Sequence, residues 1–224
     1  MMRFSWRMKR AFFYLLTFLL PVLASCTQDA YDKGEGRYSQ MVAEMADGYT
    51  NGDAKIVSFV TDADERLTVV EPFTSKLAPK ADTVYRAVFF FNRTDRGAEV
   101  ITVNRVGVVR PHVIDTLKTD PVRLESVWLA KSRRYLNVSV YLMLGATDDA
   151  SALQTVGCHR DTLMANADGT STLRLVFYHD QGGVPQYYSS RSYASIPLGA
   201  VDADSVQLTI NTYDGPVVKR FYVR

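Results

Sequence analysis

His112, His159 and His179 are the three imidazoles of this 224-residue chain, and acid–base or metal chemistry would have to be assembled around them. They stand far apart in sequence. Cys158-His159 is the one adjacent pair of metal-binding types, but neighbours on a strand point to opposite faces and cannot share an ion without a bulge. Cys158 therefore reads as a small buried hydrophobe. His112 follows Pro111, and His179 precedes Asp180 at an expected strand end, so both read as hydrogen-bonded edge or surface histidines. Asp148-Asp149 reads as a solvated loop tip and not as an acid–base pair. No glycine-rich phosphate cradle, zinc spacing or Gly-x-Ser-x-Gly elbow occurs. The expectation is a non-enzyme without catalytic residues, metal ligands or cofactors. The competing reading is a secreted hydrolase, which requires His159, His179 and a carboxylate to line one cleft. Tyr187, Tyr188 and Tyr193 are the candidate partner-binding residues, because tyrosines near a loop can stack on sugar rings or anchor a protein. The plainer alternative is that they pack a sheet edge.

Cys26 carries a more definite chemistry. Arg3, Arg7, Lys9 and Arg10 precede an apolar run, the two regions of a secretory signal. From residue 11 to residue 23 the run holds 13 residues, whereas a spanning helix needs about 20. Leu23-Ala24-Ser25-Cys26 then resembles the lipobox of bacterial lipoproteins. That resemblance implies cleavage after Ser25, a diacylglyceryl thioether on Cys26 and acylation of the new amino terminus with a fatty acid such as palmitate. Two or more acyl chains anchor firmly where one binds marginally, so the membrane is an expected partner through lipid on Cys26. With Cys26 lipidated, Cys158 is the only other cysteine and no disulfide framework is expected.

Charge follows from the same cleavage. The whole chain carries 26 basic and 24 acidic residues, and without the four basic residues of residues 1–25 the balance becomes 22 to 24. A near-neutral mature chain without basic runs argues against nucleic acid.

The elements that must position these groups are strands. Residues 26–37 are polar, with two glycines and no apolar period, and read as a tether. Short runs rich in Val, Ile, Tyr and Phe follow near 38–47, 54–61, 66–71, 83–92 and 98–109. Asp62-Ala63-Asp64-Glu65 reads as a hairpin, and Pro72 as the end of the third strand. Five strands in this length suggest an OB-like barrel over 38–110, with a β-meander as the alternative. Phe89-Phe90-Phe91 reads as its central strand, with at least one ring turned outward or under the second module. Pro111 and Pro121 suggest a boundary, and seven further runs near 123–130, 134–144, 153–163, 171–179, 190–197, 204–213 and 216–223 suggest a β-sandwich over 111–224. Asp214-Gly215 joins the last two as a hairpin. The expected fold class is all-β.

Gly34-Glu35-Gly36-Arg37-Tyr38, Val103-Asn104-Arg105-Val106 and Asp120-Pro121-Val122 resemble the NigD-like family of bacterial lipoproteins. Further echoes are Glu125-Ser126-Val127-Trp128, Arg134-Tyr135-Leu136-Asn137-Val138, Leu175-Val176-Phe177-Tyr178-His179 and Ser195-Ile196-Pro197-Leu198. The resemblance spans nearly all of residues 26–224. It implies an N-terminal OB-type domain, a C-terminal β-sandwich and a place in the envelope of diderm bacteria, at the outer membrane. It also implies a link to bacteriocin production, hence an immunity or accessory role as an alternative to binding a protein or glycan partner. It supplies no catalytic or binding residues. Asp82-Thr83, Asp115-Thr116, Asp161-Thr162 and Asp204-Ser205 resemble a bacterial O-glycosylation acceptor pattern, with Thr116 the most accessible candidate.

Overall fold

The structure is a computed structural model and describes Gly36 and residues 38–224. The signal segment, Cys26 and nearly all of the tether lie outside the described residues. Among the described residues the regular structure is all β.

Strands β1 (Val42–Thr50), β2 (Lys55–Thr61), β3 (Arg66–Thr74), β4 (Val84–Thr94) and β5 (Gly97–Arg105) close into a barrel of order β1-β2-β3-β5-β4. The order, with β1 pairing both β2 and β4, is that of the expected OB-like barrel. Its interior is aromatic. Phe59 stacks on Phe89 with centroids 4.4 Å apart and meets Phe91 edge-on at 5.0 Å. Gly48 leaves room for this group, since a Cβ there would lie 2.6 Å from Phe89 Cζ. Alternation on β4 sends Phe89 and Phe91 inward and leaves Phe90 half-buried on the outer face.

Two expectations need correction. Pro72 does not end the third strand, which runs to Thr74. It lies in the stretch between Thr68 and Phe73 that falls out of register with β2, where a missing N–H interrupts no ladder bond. The run 98–109 is not one strand either. β5 stops at Arg105, Val106 is buried, and β6 (Gly107–Val108) pairs in parallel with a sandwich strand. The apolar pattern runs through this break because both sides of it are buried against neighbours.

The sandwich strands are β7 (Arg123–Leu129), β8 (Tyr135–Leu144), β9 (Thr155–Ala165), β10 (Ser171–Asp180), β11 (Tyr188–Pro197), β12 (Ser205–Thr212) and β13 (Gly215–Tyr222). They form two four-stranded sheets, β13-β12-β10-β9 and β6-β11-β8-β7. Their facing sides enclose Leu136, Val138, Val140, Leu173, Leu175, Phe177, Ile196, Val206, Leu208 and Ile210. Burying each such side chain contributes roughly 1.5–3 kcal/mol, which accounts for a stable sandwich without disulfides. The segment between β6 and β7 is stitched onto it by single bridges, His112 to His159, Thr119 to His179 and Val122 to Thr212.

Candidate functional site

β8 reads Tyr135-Leu136-Asn137-Val138-Ser139-Val140-Tyr141. The even positions fill the sandwich core, so the odd positions form a polar stripe on the outer face of that sheet. β11 runs beside it and adds Arg191, Tyr193 and Ser195 to the same face, opposite Tyr141, Ser139 and Asn137. The barrel lies over this face.

At one end the two faces are locked by a buried charge network. The Arg86 side chain on β4 is 1% exposed and donates from Nη2 to both oxygens of Asp62, at 2.7 and 2.8 Å. Its Nη1 donates to Asp47 Oδ1 at 3.4 Å, its Nε to Ser195 Oγ at 3.1 Å, and its Nη2 also reaches Asn137 Oδ1 at 3.2 Å. Asn137 Nδ2 donates to Asp62 Oδ2 at 2.7 Å, and Ser195 Oγ to Asn137 Oδ1 at 2.7 Å. The second oxygen of Asp47 accepts from Arg134 Nη1 at 2.8 Å. The Arg86 guanidinium also stacks over the Tyr135 ring at 4.1 Å. Burial, and then the Asp47 charge, push the Tyr135 phenol above its ordinary pKa, so it remains a neutral donor to Asp47. Nearly every polar atom in the network has a partner, the condition under which buried charges specify an arrangement.

Beside the network the faces part into a cleft of about 830 Å³, within the usual size of small-molecule sites. Glu44, Met45, Val88, Phe90 and Arg93 line it from the barrel, with Asp62 and Glu65 from the β2–β3 hairpin; Glu125, Ser126, Trp128, Ser139, Arg191 and Tyr193 line it from the sandwich. Met45 and Val88 form its apolar base, clustered with the buried Val106, and Phe90, Trp128 and Tyr193 pack half-buried against them.

Most charges of the cleft are engaged in ion pairs, with the exposed Lys131 outside them among the described residues. Arg93 donates to Glu44 at 2.8 Å and to Glu65. Arg191 donates to Glu125 at 2.5 Å and to the Tyr141 hydroxyl at 2.8 Å. The Ser139 hydroxyl, donating to Glu125 Oε2 at 2.5 Å, and the Arg191 charge hold the Glu125 carboxyl below its ordinary pKa. Glu125 and Ser126 are sequence neighbours yet both line the cleft. A register shift between Leu124 and Ser126 makes Glu125 an extra residue in β7 and re-aims its side chain.

The residues expected to matter are dispersed. Cys158 is fully buried in the sandwich core, and burial pushes its thiol up to about 12. His179, 1% exposed, faces that core side of the sheet, its Nδ1 3.0 Å from the Asp120 carbonyl and its Nε2 3.1 Å from Gln154 Nε2. His159 pairs with Val176, whereas Cys158 pairs with the buried Phe177, so alternation turns His159 to the outer face. Its Nδ1 accepts the Ile114 N–H at 3.0 Å. The two histidines thus do not line one cleft. Among the described residues no group of three His, Cys, Asp or Glu gathers as a metal site. Tyr187 and Tyr188 are 76% and 58% exposed at the start of β11, while Tyr193, on the opposite face from Tyr188, sits in the cleft. Thr116 is exposed at a bend, Thr162 is exposed on β9, and Ser205 is buried against Thr172. Arg86 and Asp47 carry no signal in the sequence except that a strand keeps polar residues at alternate positions opposite a core, and Asp62 is marked there only as part of the hairpin turn.

The family model of the NigD-like C-terminal beta sandwich domain matches residues 107–221. The chain belongs to the NigD-like family. Solved structures share its fold across both modules. A NigD-like immunity protein from Bacteroides caccae is 21% identical, with a TM-score of 0.61 over 81% of this chain and 96% of its own. A protein of unknown function from Bacteroides vulgatus is 15% identical, with a TM-score of 0.63 over 81% of this chain and 90% of its own. A protein from Bacteroides fragilis described as a candidate lipoprotein is 9% identical, with a TM-score of 0.58 over 83% of this chain and 99% of its own. None of the curated proteins matches. The NigD-like module begins where β6 joins the sandwich sheet, so the stripe and half of the cleft wall belong to it.

Proposed function

We propose that the protein is a non-catalytic lipoprotein of the cell envelope, held at the outer membrane through lipid on Cys26, that presents the cleft between barrel and sandwich to a protein or glycan partner. The observation that carries this reading is the cleft itself. Its walls are two sheet faces fixed to each other by the Arg86 network, and its side chains are prearranged by ion pairs. A prearranged site loses little entropy on binding, which suits recognition. The separation of His159 from His179 counts against the hydrolase reading.

The lipobox-like Leu23-Ala24-Ser25-Cys26 and the likeness to a candidate lipoprotein support the envelope address. Growth with alkyne-tagged palmitate tests it: the wild-type protein takes up label and fractionates with membranes, and Cys26→Ala does neither. Label retained in Cys26→Ala would overturn the anchor. Tyr193 takes part through the cleft, whereas Tyr187 and Tyr188 offer a separate exposed surface. Thr116 is the proposed glycan acceptor, tested by loss of a glycan mass from intact protein in Thr116→Ala.

A second reading, an immunity factor, is favoured by the likeness to the immunity protein from Bacteroides caccae. Deleting the gene and challenging cells with the cognate toxin tests it, and unchanged survival removes it.

A further inference from the structure

We infer that the cleft takes a neutral, hydroxyl-rich ligand, a short oligosaccharide, and that Trp128 is the platform on which one of its rings stacks. The inference rests on the cleft being the binding site, as proposed above, and it names the class of ligand. Three features of the cleft lead to it.

The first is charge. Arg93 lies between Glu44 and Glu65, Arg191 against Glu125 and Asp62 against Arg86, and the exposed Lys131 offsets the second carboxylate at Arg93, so the lining carries no strong excess of either sign. A cationic ligand would have to break these pairs to be neutralised, and an anionic one would find Lys131 as the one lining cation outside an ion pair among the described residues. A neutral ligand leaves the pairs intact and uses their remaining lone pairs and N–H groups, which hydroxyls can meet as donor and acceptor at once.

The second is the main chain. Where they floor the cleft, β4 at Val88 and Phe90 and β8 at Ser139 have hydrogen-bonded neighbours on both sides, so their N–H and C=O groups are committed to ladders, whereas β11 is paired on its second side only at Ala194 and Ser195. β7 is the edge strand of the cleft wall, and its ladder is broken by the bulge at Glu125. An extended peptide relies on a free strand edge for its own backbone groups, and the floor of the cleft on β4 and β8 offers only side chains. A sugar, whose polar groups radiate from rings, needs nothing more.

The third is the flat apolar surface beside the ion pairs. Trp128, Phe90 and Tyr193 stay half-buried above Met45 and Val88. An acyl chain could cover them only by also desolvating the neighbouring charges, which is costly. The apolar face of a sugar ring covers the aromatic surface while its rim reaches the Arg–Glu pairs.

Trp128 also supplies the readout. The chain has two tryptophans, Trp6 and Trp128, so a protein trimmed at Cys26 holds Trp128 alone. The test uses the mature lipoprotein in detergent micelles, titrated with neutral di- to tetrasaccharides of glucose, galactose, mannose and N-acetylglucosamine. A sulfated oligosaccharide and a lysine-rich peptide serve as charged probes. Expected is a saturable change in Trp128 fluorescence with at least one neutral sugar, insensitive to salt. Calorimetry should show binding weakened roughly tenfold or more in Trp128→Ala, as loss of one stacking platform implies. Arg191→Gln, an exposed site whose change leaves the core untouched, should weaken it as well, and Tyr187→Ala should not.

No saturable response to any neutral sugar overturns the assignment, as does binding confined to a charged probe or lost in Tyr187→Ala and retained in both cleft variants. Capture from native envelopes separates this failure from that of the cleft reading. A protein captured by wild type and lost in Trp128→Ala and Arg191→Gln leaves the cleft a binding site and removes the sugar. Capture unchanged in both variants removes the cleft reading as well.

Discussion

Cys158 shows how completely burial decides the chemistry of a side chain. It lies with Phe177 and Leu175 in the sandwich core, and removal from water raises its thiol from 9.0 to about 12. A thiol reagent at pH 8 should therefore leave native protein unlabelled and label it once urea unfolds it; rapid labelling of the folded form would contradict the burial. The same shift has a consequence for stability. The folded thiol is the weaker acid, so its contribution is complete below pH 9 and is lost as pH rises from 9 toward about 12, where the unfolded chain gains by ionising. Urea titrations across that window should show stability falling in wild type and a shallower fall in Cys158→Ala. This burial was legible from residue type and strand alternation alone. The role of Arg86 was not, because an arginine inside the apolar pattern of β4 is explained only by Asp47, Asp62, Asn137 and Ser195, which other strands bring to it.

Among elements, two joints carry the architecture. One is the Arg86 network between β4 and β8, where Arg86→Ala leaves the half-buried Asp62 without its arginine and the buried Asp47 with Arg134 as its remaining cation. Breaking such a pair costs roughly 3–5 kcal/mol. Equilibrium unfolding in urea should show a loss of that order, with part of it recovered when Asp62→Asn is added; a loss under about 1 kcal/mol would mean the network is incidental. The other joint is the seam that closes the barrel, the parallel contact of β3 with β5 at Val69 and Ala98. Gly97 opens β5 with φ +128°, and a Cβ there would fall 2.3 Å from the Thr68 carbonyl oxygen. Gly97→Ala should destabilise by about 2 kcal/mol or more, read as a lower melting temperature with the Tyr193 side of the cleft preserved. The hairpins at Asp62-Ala63-Asp64 and Asp214-Gly215 were visible beforehand, since turn chemistry is local. Closure was not, because nothing local tells β3 that its neighbour will be β5.

At the scale of the whole molecule, the two modules are joined by more than a linker. β6 pairs with Ala194 and Ser195 along the side of β11, and the Val109 N–H donates to the Ser195 carbonyl at 3.0 Å. His112 lies along β9, its N–H donating to the Cys158 carbonyl at 3.2 Å while its own carbonyl accepts from Arg160 at 2.8 Å. The prolines at 111 and 121 suggested a boundary near residue 111 because they interrupt a pattern, and the chain between them runs along the margins of the sandwich sheets. These few residues act as edge guards. A fragment beginning at Val113 would keep the seven long sandwich strands but bare Ala194 and Ser195 on β11 and residues 158–160 on β9, and unpaired strand edges recruit other chains. It should self-associate in light scattering where a fragment beginning at Val106 stays monodisperse, so the short crossing from barrel to sandwich also protects the molecule from its own copies.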